Sequence, residues 1–137
     1  MVPGAKQYLT LRISQKDLAI DAAIVAGIVP ACELSPVPAN RMLEAGAVAG
    51  FASLSGYTFP VLDLCARLGL PEQPMEPQTR IVVIQIDGAL SGFLADRVVD
   101  IVEYPGRNVR NGRLYGRGRT RRLIPAASLQ PGASLAG

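Results

Sequence analysis

Along QYLTLRISQKDLAID (residues 7–21) the apolar positions Tyr8, Leu9, Leu11 and Ile13 interleave with polar ones, and Leu18 and Ile20 resume the alternation after the polar stretch Ser14–Asp17. Alternation with a period of two predicts a hairpin with one buried face. In AAIVAGIVPACELSPVP, Ile24, Val25, Ile28 and Val29 fall at three-to-four spacing, but Gly27 and Pro30 oppose a helix. A short helical turn leading into a strand satisfies both signals. Pro36 and Pro38 mark an extended connection, and Asn40 is a candidate cap for a helix that Gly46 and Gly50 keep short. Tyr57–Leu64 reads as a strand, followed by a turn of helix in CARLGL closed by Gly69. PEQPMEPQT is the clearest linker. RIVVIQID is the strongest strand, bounded by a turn at Asp87 and Gly88. ALSGFLADRVVDIVEY reads as its partner. Leu94, Val98 and Val102 also fit a helical stripe, but the β-branched residues and the preceding turn favour a strand. RLYGRGRTRRLIPAASL closes the chain with two short strands around a Gly/Arg turn, its SL packing back.

Many short strands separated by Gly and Pro turns predict an all-β domain of small barrel or sandwich type. The linker at 71–79 does not divide the protein, because the strands on either side are too few to close separately. Two small barrels that exchange strands, with two cores sharing a seam, fit 137 residues. A 49% hydrophobic content with 18% charge indicates a buried interior, and 5% aromatics leaves Val, Ile, Leu and Ala to fill it. No apolar run reaches the roughly 20 residues of a membrane-spanning helix. MVPGAKQYLTLRIS lacks the features of a secretory signal, so a cytoplasmic location is expected. Cys32 and Cys65 are too few to staple a secreted scaffold and are expected to be reduced, mostly buried thiols.

The chain has no histidine, which removes the commonest general base and metal ligand and every Ser-His or Cys-His pair. Asp63, Asp96 and Asp100 match no calcium-loop spacing. Lone acidic residues after strands cap turns or pair with arginine. No metal, cofactor or catalytic residue is expected. Charge is unevenly distributed: residues 1–106 hold seven basic and eleven acidic residues, a net of −4, while the rest hold seven arginines and no acid, a net of +7. All seven lie between Arg107 and Arg122. That segment gives an alternative reading, a small β-barrel that binds nucleic acid through residues 107–122. Leu114, Leu123 and Ile124 around it favour a hairpin whose arginines are solvated or pair with the acidic body.

The ordered elements resemble the CheW-like domain family, the receptor and kinase adaptor module of bacterial chemotaxis. The likeness runs over residues 6–130, with 131–137 as a tail. Ala19, Ile20, Asp21, Val25 and Ile28 resemble the family's early segment, and SPVP its Pro-containing link. Gly50, then Ser53-Leu54-Ser55-Gly56, then Pro60, Val61, Asp63 and Leu64 match its central motif. Ser53 and Ser55 replace the usual Asn and Arg, and Gly27 replaces a usual Glu. Gly92, Asp96 and Val98 match the later strand and turn. The resemblance implies two SH3-like five-stranded barrels sharing a seam, with short helical turns and no catalytic activity. It implies an adaptor that binds the regulatory domain of a CheA-type histidine kinase with one surface and a chemoreceptor cytoplasmic tip with another. The partner-binding candidates are Val25, Gly27, Ile28, Gly50, Ser53, Leu54, Ser55 and Gly56. A helical receptor tip would dock on apolar residues such as Val25, Ile28 and Leu54. Kinase contact would use barrel edges where apolar patches beside glycine allow close approach.

Overall fold

A computed structural model describes residues 4–36, 48–116 and 118–129. Twelve strands are found there: β1 (Lys6–Ile13), β2 (Lys16–Asp21), β3 (Val25–Pro30), β4 (Ser35–Pro36), β5 (Val48–Leu54), β6 (Tyr57–Leu62), β7 (Arg80–Ile86), β8 (Ala89–Ala95), β9 (Arg97–Tyr104), β10 (Val109–Arg110), β11 (Arg113–Gly116) and β12 (Arg119–Leu123). Among the described residues one helix, α1 (Leu64–Leu68), and short 3-10 turns join them. The first sheet runs β10-β11-β12-β2-β1-β9 and the second β3-β7-β8-β6-β5-β4. Each has five substantial strands and one two-residue strand, β10 or β4, at its margin. The first sheet is built from both ends of the chain and the second from the uninterrupted middle, β3 to β8.

Local chemistry sets the turns. Ser14-Gln15, Ser55-Gly56, Asp87-Gly88 and Asn111-Gly112 all have positive φ at both residues, the two-residue hairpin geometry whose twist matches the flanking strands. The Ala22–Ile24 turn leads directly into β3, with the Asp21 carboxylate accepting the Ala23 N–H at 2.9 Å. Gly69 closes α1 in the left-handed conformation. The expected helix after Asn40 and the extended Pro38 lie outside the described residues.

Three apolar clusters organise the interior. Ala52, Phe59, Val61, Ile81 and Val83 fill the second barrel, and Tyr8, Ala19, Tyr104 and Leu114 fill the first. The largest joins the two sheets: Leu9, Leu11, Ile13, Leu18 and Ile20 from β1 and β2 meet Leu62, Val82, Ile84 and Phe93 from β6, β7 and β8. That cluster is the seam. It corrects the reading of the first hairpin, because Tyr8, Leu9, Thr10 and Leu11 are all buried. Leu9, Leu11 and Ile13 enter the seam while Tyr8 turns into the first barrel, so both faces of the strand are buried from Tyr8 to Leu11.

A second correction concerns ALSGFLADRVVDIVEY. It is two strands in two sheets: β8 pairs with β7, whereas β9 crosses over to pair with β1. The corner is Asp96, whose N–H donates to the Arg12 carbonyl at 2.9 Å and whose carboxylate accepts the Ser14 N–H at 2.6 Å. At the far end of the chain, Arg67 donates to the Ser128 carbonyl at 2.9 Å and Leu129 is buried in the seam, so SL does pack back.

Candidate partner-binding surface

The eight candidate residues fall into three environments. Val25 opens β3 half-buried against the seam cluster, opposite Ile84. Ile28, opposite the seam residue Val82, is 43% exposed because β3 is the edge strand of its sheet. The two are thus rim residues of the seam, partly core and partly surface. Gly27 and Leu54 belong to the second barrel. A β-carbon on Gly27 would lie 3.1 Å from a Leu54 methyl, so the glycine leaves the room that Leu54 occupies. Leu54 itself packs against that barrel's core.

Ser53, Ser55 and Gly56 form the tip of the β5–β6 hairpin and are exposed. The Ser53 and Thr58 hydroxyls pair across the strands at 3.1 Å. Gly56 at φ +84° serves the turn, whereas Gly50 is buried and serves close approach to β4. The fold therefore places Gly50 inside the structure and not on a surface, which removes it as a direct contact. Its role is to let the β4 backbone lie against β5.

Exposed apolar residues supply what the motif reading missed. β9 is the edge strand of the first sheet, and Ile101, paired with the seam residue Leu9, is 57% exposed. Val98 packs on the seam beside it. Each sheet thus ends in a strand whose seam-side residues are partly uncovered: Val25 and Ile28 on β3, Val98 and Ile101 on β9. The Ala22–Ile24 turn touches β1 and β7, the inner neighbours of those edges. Phe51 and Tyr57, on the β5–β6 hairpin, are also exposed. Phe51 was legible in the period of β5, where Val48, Gly50 and Ala52 point inward and Phe51 outward.

The three aspartates each accept a backbone N–H. Asp63 accepts the Cys65 N–H at 3.0 Å, Asp96 the Ser14 N–H and Asp100 the Ile101 N–H at 2.7 Å. Among the described residues, no three Cys, Asp or Glu side chains cluster as a metal site would require. The arginine-rich hairpin is tied to the body. Arg119 pairs with Asp17 at 3.5 Å, Arg121 donates to the Tyr104 hydroxyl at 2.6 Å, and the Arg110 guanidinium lies 4.7 Å from the Tyr115 ring centre. Asp17 also accepts from Arg12 at 3.0 Å, a hydrogen bond that holds its carboxyl below the usual range.

The thiols divide, correcting the expectation that both are mostly buried: Cys32 is exposed and Cys65 buried. Burial pushes the Cys65 thiol up to about 11, and the Asp63 and Asp96 carboxylates add to the shift. Thiolate is the reacting form. At pH 8 the folded protein is expected to release one equivalent of thionitrobenzoate from Ellman's reagent quickly, through Cys32. The second equivalent is expected only on unfolding, and two fast equivalents would contradict the packing around Cys65.

These features define a double-barrelled all-β domain with a shared hydrophobic seam and shallow apolar patches at its rim. The sequence profile described as "CheW-like domain" matches residues 7–135, and the chain belongs to the CheW-like domain family. It is 28% identical over 112 residues to "Chemotaxis protein CheW" of Rhizobium meliloti (strain 1021), covering 78% of this chain and 66% of that protein. It is 30% identical over 104 residues to "Probable chemotaxis protein CheW" of Rhizobium etli, covering 72% and 61%. The chain thus matches somewhat less than two thirds of the length of these curated relatives. The crystal structure of the scaffolding protein TtCheW from Thermoanaerobacter tengcongensis superposes with a TM-score of 0.76 at 18% identity, covering 91% of this chain and 90% of that one. The shared fold has two SH3-like barrels. The nucleic-acid reading of residues 107–122 gains no support from these relatives.

Proposed function

We propose that this protein is a non-enzymatic cytoplasmic signalling adaptor that couples chemoreceptors to a CheA-type histidine kinase, in chemotaxis or a related chemosensory pathway. Residues 6–130 form the working domain, with 131–137 as a tail outside the described residues. The observation that carries the reading is the rim of the seam. An adaptor must offer apolar side chains that stay accessible while anchored to a rigid core, and Val25 and Ile28 on β3 meet that requirement. Membership of a family whose curated relatives are named chemotaxis proteins supports it. A helical receptor tip would lay its apolar face along such a rim. The kinase regulatory domain would take a second surface, for which the exposed Phe51 and Tyr57 and the hairpin tip at Ser53, Ser55 and Gly56 are suited.

The test is capture of kinase and receptor from the lysate of a chemotactic bacterium with this chain as bait, followed by affinity measurement with the captured partners. Ile28→Glu is expected to weaken receptor binding by about tenfold or more, the range of a buried interface anchor, while leaving the circular dichroism spectrum unchanged. Binding should depend only modestly on salt. Capture of neither partner would defeat the adaptor reading.

A further inference from the structure

β10, β11 and β12 carry an arrangement that the adaptor role does not use. Arg110 faces Arg113 across β10 and β11, and Arg113 faces Arg122 across β11 and β12, so three arginines stand in one cross-strand row. Directly opposed residues share a face of the sheet and lie about 5 Å apart, and like charges in that position are destabilising. Elsewhere in this segment arginines are given partners: Arg119 has Asp17 and Arg121 has the Tyr104 hydroxyl. Arg113 and Arg122 have no ion pair or side-chain hydrogen bond among the described residues. A neutral residue at any of these solvent-facing positions would remove the repulsion.

The row also borders a cavity. Arg122 lies beside Leu18 in the parallel pairing of β12 with β2, which brings the turn preceding β2 alongside. Arg113, Arg122 and Lys16, with Thr120, Gln15 and Leu70, line a pocket of about 380 Å³. That is at the small end of the roughly 300–1,000 Å³ that holds small molecules. Asp17 also borders it, but its carboxylate is occupied by Arg12 and Arg119. The remaining polar lining residues are Arg113, Arg122, Lys16, Thr120 and Gln15, a set whose side chains complement oxyanions. Guanidinium groups bind phosphate through paired, charge-assisted hydrogen bonds. Two forks on adjacent strands with a lysine beside them match more than one phosphate group.

We propose that this pocket is a binding site for a small soluble ligand bearing a di- or triphosphate group, held by Arg113, Arg122 and Lys16. An extended nucleic-acid backbone does not fit this set, because the cations converge on one cavity and Arg119 and Arg121, on the same strand, are already engaged. The site is separate from the β3 rim, so it stands or falls independently of the adaptor reading.

The experiment is calorimetric titration of the full chain with inorganic triphosphate at fixed ionic strength, beside parallel titrations with a duplex oligonucleotide and with phosphatidylglycerol vesicles. Saturable one-to-one binding of triphosphate is expected, weakened about tenfold or more by Arg113→Ser and by Arg122→Ser through loss of charge-assisted hydrogen bonds. Without ligand, Arg122→Ser should melt at the same temperature as the parent or higher, because it relieves the row. That separates a lost site from a lost fold. Absence of triphosphate binding at millimolar concentration, binding unchanged in both variants, or binding confined to the oligonucleotide or the vesicles would each overturn the proposal.

Discussion

Replacing Phe93 with alanine lowers the stability of both barrels together by about 3–5 kcal/mol, the range for removing a fully buried aromatic side chain. Phe93 lies in β8, has no exposed surface and is flanked by Leu62 on β6 and Val82 on β7. Its ring belongs to the seam cluster, where β1 and β2 supply Leu9, Leu11, Ile13, Leu18 and Ile20. A cavity there removes contacts from the sheet that carries Phe93 and equally from the sheet that does not. Against a total of about 5–15 kcal/mol for a domain of this kind, the loss is a large fraction. Tyrosine fluorescence reports mainly on the first barrel, because the second barrel's Tyr57 is already exposed, while far-ultraviolet circular dichroism reports on both. Tyr8 and Tyr104, packed edge to face at 6.0 Å between ring centres, sit inside the first barrel, whereas Phe93 lies in the second sheet. In urea, tyrosine fluorescence and far-ultraviolet circular dichroism should therefore shift to a lower midpoint together, with an unchanged slope. A tyrosine transition that stays in place while the dichroism moves would show that the barrels unfold separately and that the seam does not unite them.

The same geometry explains what could be read from the sequence and what could not. The hairpin turns are local: Gly56, Asp87 and Gly88 are residues that adopt positive φ readily, so the strands they join were visible. The all-β class and the double barrel followed from strand spacing together with the family motif. The crossing of β9 into the other sheet was not visible, because the corner at Asp96 depends on Arg12 and Ser14, more than eighty residues away in the chain. Nothing in ADRVVD marks a sheet change by itself. Burial of both faces of β1 was hidden for a related reason. Thr10 reads as a polar, outward residue until its hydroxyl is seen donating to the Asp100 carbonyl at 3.0 Å across that same crossover.

The candidate surface was legible in part. Motif spacing pointed to Val25 and Ile28, and both fall on the rim of the seam. It could not separate them from Gly50, because a glycine kept for a neighbouring backbone and a glycine kept beside a binding surface look identical in sequence. Nor did it find Ile101, whose exposure follows from β9 being a sheet edge. Edge position is a property of strand order, which one sequence does not display.

Gly50→Ala is expected to destabilise the fold by about 1–3 kcal/mol, and Gly50→Val by more, through steric overpacking. In an open extended segment the same replacement would stabilise by about 0.4–1 kcal/mol, because alanine reduces the freedom of the unfolded chain; here the sign reverses. Gly50 follows a register irregularity in β5 and pairs with Pro36 on β4 and Val61 on β6. A β-carbon at this position would fall on the Ser35 carbonyl oxygen and lie 2.9 Å from a Leu34 methyl. A carbonyl held in the main chain of β4 has no rotamer to escape into, so β4 itself must move. Leu34, which packs on the core of the second barrel, must move with it. Gly27 is the control, because its nearest obstacle is the end of the Leu54 side chain at 3.1 Å, which has torsions available to yield. Thermal or urea unfolding of the two alanine variants should place Gly50→Ala well below Gly27→Ala. Equal losses would mean that the approach of β4 to β5 tolerates a methyl group and that Gly50 is kept for some purpose other than spacing the strands.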